Sequence, residues 1–140
     1  MKILIAVDGS AFTKRMLAYL TAHDEFPGRG HDYTVLHTVP PVPPRAAAVL
    51  DKATLDGYYQ DEAEKVFKPI RSFLGKQGLE AKFTYKVGHA AETIAAFAEK
   101  GKYDLMVMGS HGHGSLTNLV MGSVATKVLA KCGVPVLLVR

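Results

Sequence analysis

Short runs of apolar or β-forming residues alternate along this chain with longer stretches of helical period, and that alternation limits the fold more than any single motif does. Ile3 to Val7 is continuously apolar and closes at Asp8-Gly9-Ser10, after which Phe12, Met16, Leu17 and Leu20 recur on one helical face. Tyr33 to Val39 reads as a second strand. It ends in Pro40-Pro41-Val42-Pro43-Pro44, a stiff extended connector, because proline supplies no ladder N–H. Ala63, Val66, Phe67, Ile70, Phe73 and Leu74 share a helix face; Pro69 within it is expected to kink or split the helix, and Gly75 and Gly78 mark its end. Phe83, Tyr85 and Val87 alternate with Lys82, Thr84 and Lys86, the pattern of a strand near a sheet edge with one wet face. Ile94, Phe97 and Ala98 form a further helix stripe, Leu105 to Met108 a buried strand, Val124, Ala125, Val128 and Leu129 a last helix, and Val134 to Val139 a last strand. Five strands alternating with four helices predict an α/β fold, a five-stranded parallel doubly wound sheet of Rossmann-like kind.

At 140 residues the chain is expected to form a single domain, 1–140. A hydrophobic share of 48% with 21% charged residues excludes a disordered or fibrous reading. The five-residue run at Ile3–Val7 is too short for a signal-peptide core or a membrane span, so a cytoplasmic protein is expected, and the lone Cys132 agrees with a reducing compartment. The net charge of +4 is spread over single or paired Lys and Arg without a basic block, which argues against nucleic acid as partner.

In a doubly wound sheet ligands bind beyond the carboxyl ends of strands where the strand order reverses, which directs attention to the loops after Val7, Val39 and Met108. The last of these reads Gly109-Ser110-His111-Gly112-His113-Gly114-Ser115, then Leu116 to Met121, then Gly122-Ser123 at the start of the last helix. Glycines let successive N–H groups turn inward and let a phosphate approach the backbone, and a helix N-terminus adds donors and the positive end of its dipole. The same composition would also serve a flexible connector. No Gly-x4-Gly-Lys-[Ser/Thr] loop is present, which disfavours a P-loop phosphotransferase. His111 and His113 invite a metal reading, but no third ligand stands near them in sequence. His37, inside an apolar strand, is expected to be a hydrogen-bonded core residue.

Gly109, two residues, Gly112, nine residues, Gly122 and Ser123 match the G-x2-G-x9-G-[ST] signature, and the chain here resembles the ATP-binding branch of the universal stress protein family. The resemblance extends to Ala6-Val7-Asp8-Gly9-Ser10, Leu36-His37 and Val134-Pro135-Val136-Leu137-Leu138-Val139, so it spans the whole chain. It implies a strand order 3-2-1-4-5. It also implies that Gly109, Gly112, Gly122, Ser123 and Val124 line the phosphates and ribose of ATP, with Met108, Ser110, His111 and His113 completing the loop. Ala6, Asp8 and Thr38 would edge the adenine and ribose, and Asp8 could hold a hydrated Mg²⁺. Thr38 stands where the family more often has valine, a change of little weight if the contact is through backbone. The implied role is that of a nucleotide-dependent stress-response module with slow or no hydrolysis; a nucleotide hydrolase or adenylyl-transferring enzyme using the same cleft is the alternative. The resemblance further implies a homodimer through the C-terminal strand 134–139.

Overall fold

A computed structural model describes residues 1–23, 30–113 and 120–140; Gly114, Ser115 and Leu116 to Leu119 of the glycine loop lie outside the described residues. The strands are β1 (Lys2–Val7), β2 (Asp32–Val39), β3 (Lys82–Val87), β4 (Leu105–Gly109) and β5 (Val136–Val139), and the helices are α1 (Ala11–Ala22), α2 (Pro44–Ala48), α3 (Lys52–Lys76), α4 (Ala90–Lys100) and α5 (Ser123–Lys131). All pairings are parallel and the order is β3-β2-β1-β4-β5, as expected.

The continuous apolar run of β1 follows from its central place, because both faces of the strand are covered. Ile3, Ile5 and Val7 point to one side, where Met16, Leu17 and Leu20 of α1 and Phe67, Ile70 and Leu74 of α3 pack on them. Leu4 and Ala6 point to the other, against Ile94 and Ala98 of α4 and Ala125 and Val128 of α5. Leu4 and Ile5 are fully buried, each worth about 1.5–3 kcal/mol on transfer from water.

Two helical features differ from the sequence reading. Pro44 opens α2, a fifth, short helix of 5 residues, where an extended connector was expected to end; proline suits the first helical turn because its missing N–H would be unsatisfied there anyway. The long helix α3 runs unbroken for 25 residues through Pro69. Both Pro69 and Lys65, whose carbonyl loses the N–H partner, lie on the exposed side of the helix, so water can hydrate that carbonyl and the helix need not split. Gly78, with φ +72, follows the helix in the left-handed conformation. The expected edge strand is β3, although Val87 at its end is 41% exposed rather than continuing the inward face of Phe83 and Tyr85.

Candidate nucleotide-binding site

The strand order reverses between β1 and β4, and a cleft of about 300 Å³ opens beyond their carboxyl ends. Ala6 lies near the end of β1 and Asp8 just after it, Thr38 lies near the end of β2, and Met108 and Gly109 end β4. His111, Gly112 and His113 of the glycine loop form another wall, and Gly122, Ser123 and Val124 bring the start of α5 to it. Of the residues singled out in the sequence, Ser110 alone does not line the cleft. It is 3% exposed and ties the glycine loop to its surroundings: its N–H donates to the Val139 carbonyl at 2.9 Å and its own carbonyl accepts from Gly122 N–H at 2.7 Å.

Gly122 is the N-cap of α5 and brings no side chain to cap it. The first N–H groups of a helix have no partner within it, so those of Ser123, Val124 and Ala125, all at the cleft, are available to an anion along with the Ser123 hydroxyl. Two other glycines are required by packing. A Cβ on Gly109 would stand 2.8 Å from that of Phe12, and one on Gly112 would collide with Asp8 Oδ2.

Asp8 joins the loops around the cleft. Its Oδ1 accepts from Ser10 N–H and from the Thr13 hydroxyl, both at 2.9 Å, while the Asp8 N–H donates to Thr13 Oγ1 at 3.1 Å. Burial pushes the Asp8 carboxyl up, but the hydrogen bonds from Ser10 and Thr13 and the neighbouring His113 together outweigh it and hold the group below its ordinary value. His113 Nε2 lies 2.8 Å from the Asp8 carbonyl, which can only accept, so Nε2 carries a proton. His111 Nδ1 is 2.8 Å from Ser110 Oγ, and its ring lies against Phe12 with centroids 4.8 Å apart.

His37 is hydrogen-bonded as expected, with Nδ1 at 2.9 Å from the Val7 carbonyl, but it also lines the cleft, which the sequence reading did not foresee. Val7, Thr13, Pro40, Ala90, Ile94 and Ala125 were missed as well. Only Thr13 carried a legible signal: five residues after Asp8, at the start of a helix, a hydroxyl can turn back to the carboxylate. Ala90 and Ile94 belong to α4, which the topology alone brings to this end of the sheet. Lys127, one turn into α5, is exposed and does not line the cleft. Among the described residues no three His, Cys, Asp or Glu side chains gather to hold a metal, and no helix is long and apolar enough to cross a membrane.

This fold is that of a doubly wound, Rossmann-like α/β protein with a cleft at its switch point, and a sequence profile places the chain more narrowly. The profile of the Universal stress protein family matches residues 1–140, and the chain belongs to that family. It is 36% identical to a universal stress protein of Thermus aquaticus over 99% of its own length and 97% of the relative's. It is 35% identical to the universal stress protein Slr1230 of Synechocystis over 99% of its length, but spans only 42% of that relative. Among solved structures, that of MJ0577 from Methanocaldococcus jannaschii superposes with a TM-score of 0.80 at 28% identity, covering 99% of this chain and 94% of that one. The universal stress protein of Archaeoglobus fulgidus, solved in complex with dAMP, shares the fold at a TM-score of 0.70 and 23% identity, covering 100% of this chain and 98% of that one.

Proposed function

We propose that this chain binds ATP, with Mg²⁺, in the cleft between β1 and β4 and acts as a nucleotide-dependent regulatory module of the stress response. The observation that carries the reading is the glycine-capped start of α5, whose N–H groups and Ser123 hydroxyl border the cleft with no side-chain cap from Gly122. The dAMP bound by the Archaeoglobus fulgidus protein agrees with an adenine nucleotide, but at 23% identity that likeness speaks for the fold, and the ligand reading stands on this chain's own cleft. The ATP phosphates would lie along Gly109, Gly112, His113 and Gly122 to Val124, and Ala6 and Thr38 would edge the purine or sugar.

Asp8 is the one carboxylate among the described residues lining the cleft. A single carboxylate suits Mg²⁺, which is commonly held by one or two carboxylates together with phosphate oxygens and water. When bound, the ion would offset phosphate charge. No Lys or Arg lines the cleft among the described residues, and Asp8, with its carboxyl held below the ordinary value, is a weak base, so the site favours holding the nucleotide over hydrolysing it. The nucleotide would then bias partners or assembly. We assign the assembly to a homodimer through β5, whose apolar residues Val136 to Val139 stand half-buried at the sheet edge, where open backbone groups invite a second copy. Cytoplasmic residence accords with this role.

Two measurements test the nucleotide reading. Mass spectrometry of the denatured purified protein should release an adenine nucleotide, and calorimetry on stripped protein should give saturable ATP binding. Gly122→Val should abolish that binding in a folded protein: φ −73 and ψ 165 at this N-cap are angles a branched residue adopts without strain, while its side chain would enter the phosphate position. No saturable ATP binding by the wild type, or unchanged affinity in a folded Gly122→Val variant, would overturn the reading.

A further inference from the structure

A second cavity of about 410 Å³ lies between α1 and α3, on the other side of a wall that it shares with the nucleotide cleft. Asp8, Thr13 and His113 line both spaces. The floor is apolar: Leu17 and Ile70 are buried, Val66 and Phe73 half-buried. The mouth carries two cations, Lys14 and Lys65. Lys65 is held by Glu62 at 2.7 Å, whereas Lys14 has no ion-pair partner among the described residues. The one acid among the described residues of the lining is Asp8, whose carboxylate is already engaged by Ser10 and Thr13.

We propose that this groove is a second ligand site, taking a small amphipathic carboxylate of the medium-chain acyl class. Its size falls in the range of small-molecule sites, which are characteristically apolar with a few polar groups that fix orientation. An acyl tail would cover Leu17, Val66, Ile70 and Phe73. The carboxylate would then reach the mouth, where the Lys14 ammonium on its flexible stem can meet it. A neutral ligand would leave that cation unused, and a cationic one would be repelled by it. The groove stands independently of the nucleotide reading, since none of its argument requires ATP in the neighbouring cleft.

The test is a titration of the full-length, nucleotide-stripped chain with sodium octanoate, followed by calorimetry and by amide NMR shifts. Acetate supplies the same head without the tail, and octylammonium the same tail with the opposite charge. The expected result is one saturable site, with shifts centred on Gly9, Lys14, Val66 and Phe73 and binding at least fivefold tighter than for octylammonium. Acetate should show no saturation. Lys14→Glu, at an exposed position, should weaken octanoate at least fivefold; Val66→Trp, which fills the groove, should abolish it, and Lys14→Glu decides alone should the tryptophan variant misfold. Absence of saturable binding, equal affinity for octylammonium, indifference to Lys14→Glu, or shifts centred on the nucleotide cleft would each overturn the proposal. A failure of ATP to bind would leave these readouts unchanged and would count against the nucleotide reading alone.

Discussion

Replacing Gly112 with alanine adds one methyl group at a position whose backbone is not in the left-handed region, so its effect reports packing rather than strain. The new Cβ would collide with Asp8 Oδ2. Either the carboxylate turns, giving up the 2.9 Å bonds that its Oδ1 accepts from Ser10 and Thr13, or the glycine loop moves away from β1. A hydrogen bond to a charged acceptor contributes about 1.5–3 kcal/mol, and losing the better part of one while water partly compensates should cost about 2 kcal/mol. For a domain of this size that is a fall in Tm of roughly 8 °C. Calorimetric and urea unfolding of Gly112→Ala, Asp8→Ala and the double variant would measure it. Because the collision needs both partners, Gly112→Ala should cost less than about 0.5 kcal/mol in the Asp8→Ala background, a coupling of about 1.5 kcal/mol. The pH dependence has a definite sign. Burial opposes ionisation of Asp8, yet Ser10, Thr13 and His113 hold its carboxyl below the ordinary value near 4, so its stabilisation is complete above that value and is lost as pH falls through the lower folded-state value. The gap between wild type and Gly112→Ala should therefore narrow below about pH 4. An equal cost in both backgrounds, or a cost under about 0.5 kcal/mol at neutral pH, would refute the assignment of Asp8 as the tie between the two loops.

Four shorter predictions accompany it. Pro69→Ala should stabilise the protein by about 2 kcal/mol, because the alanine N–H can complete the helix to the Lys65 carbonyl; unfolding curves showing destabilisation would mean that the proline shapes α3 in some needed way. Thr38→Val should leave ATP affinity within about twofold by calorimetry if this position meets the ligand through its backbone, and a tenfold loss (about 1.4 kcal/mol) would assign the contact to the hydroxyl. Steady-state ATP hydrolysis by protein freed of contaminating enzymes should run well below the roughly 1–100 per second of kinases, and turnover within that range would reveal a catalytic group that this reading lacks. Light scattering at micromolar concentration should find a dimer that Leu137→Lys or Val136→Pro shifts toward monomer or aggregate; a dimer indifferent to both would have to use another surface.

The alternation of periods was enough to reveal the α/β class, because a strand buried on both faces must be apolar throughout and a helix covering it must be apolar on one stripe. Ile3 to Val7 and the Met16, Leu17, Leu20 stripe carry that information locally. The glycine loop was legible for a related reason: sharp turns and close approaches restrict residue type whatever surrounds them. Sequence alone did not disclose why each glycine is there. Gly109 yields to Phe12 and Gly112 to Asp8, side chains roughly a hundred residues earlier, and only the parallel pairing of β1 with β4 brings them together.

What tertiary structure alone decided is the remainder of the cleft and the groove beside it. His37 read as a core residue because its neighbours in β2 are apolar, but the end of a strand at a switch point is also the rim of a cleft. Ala90 and Ile94 carry no chemical signature, and Lys14 and Phe73 lie on separate helices with nothing in their spacing to pair them. Periodicity specifies which face of an element is buried. It carries no information about which other element covers that face, since helices of like amphipathicity could pack in either place, and only the order of strands in the sheet makes the choice.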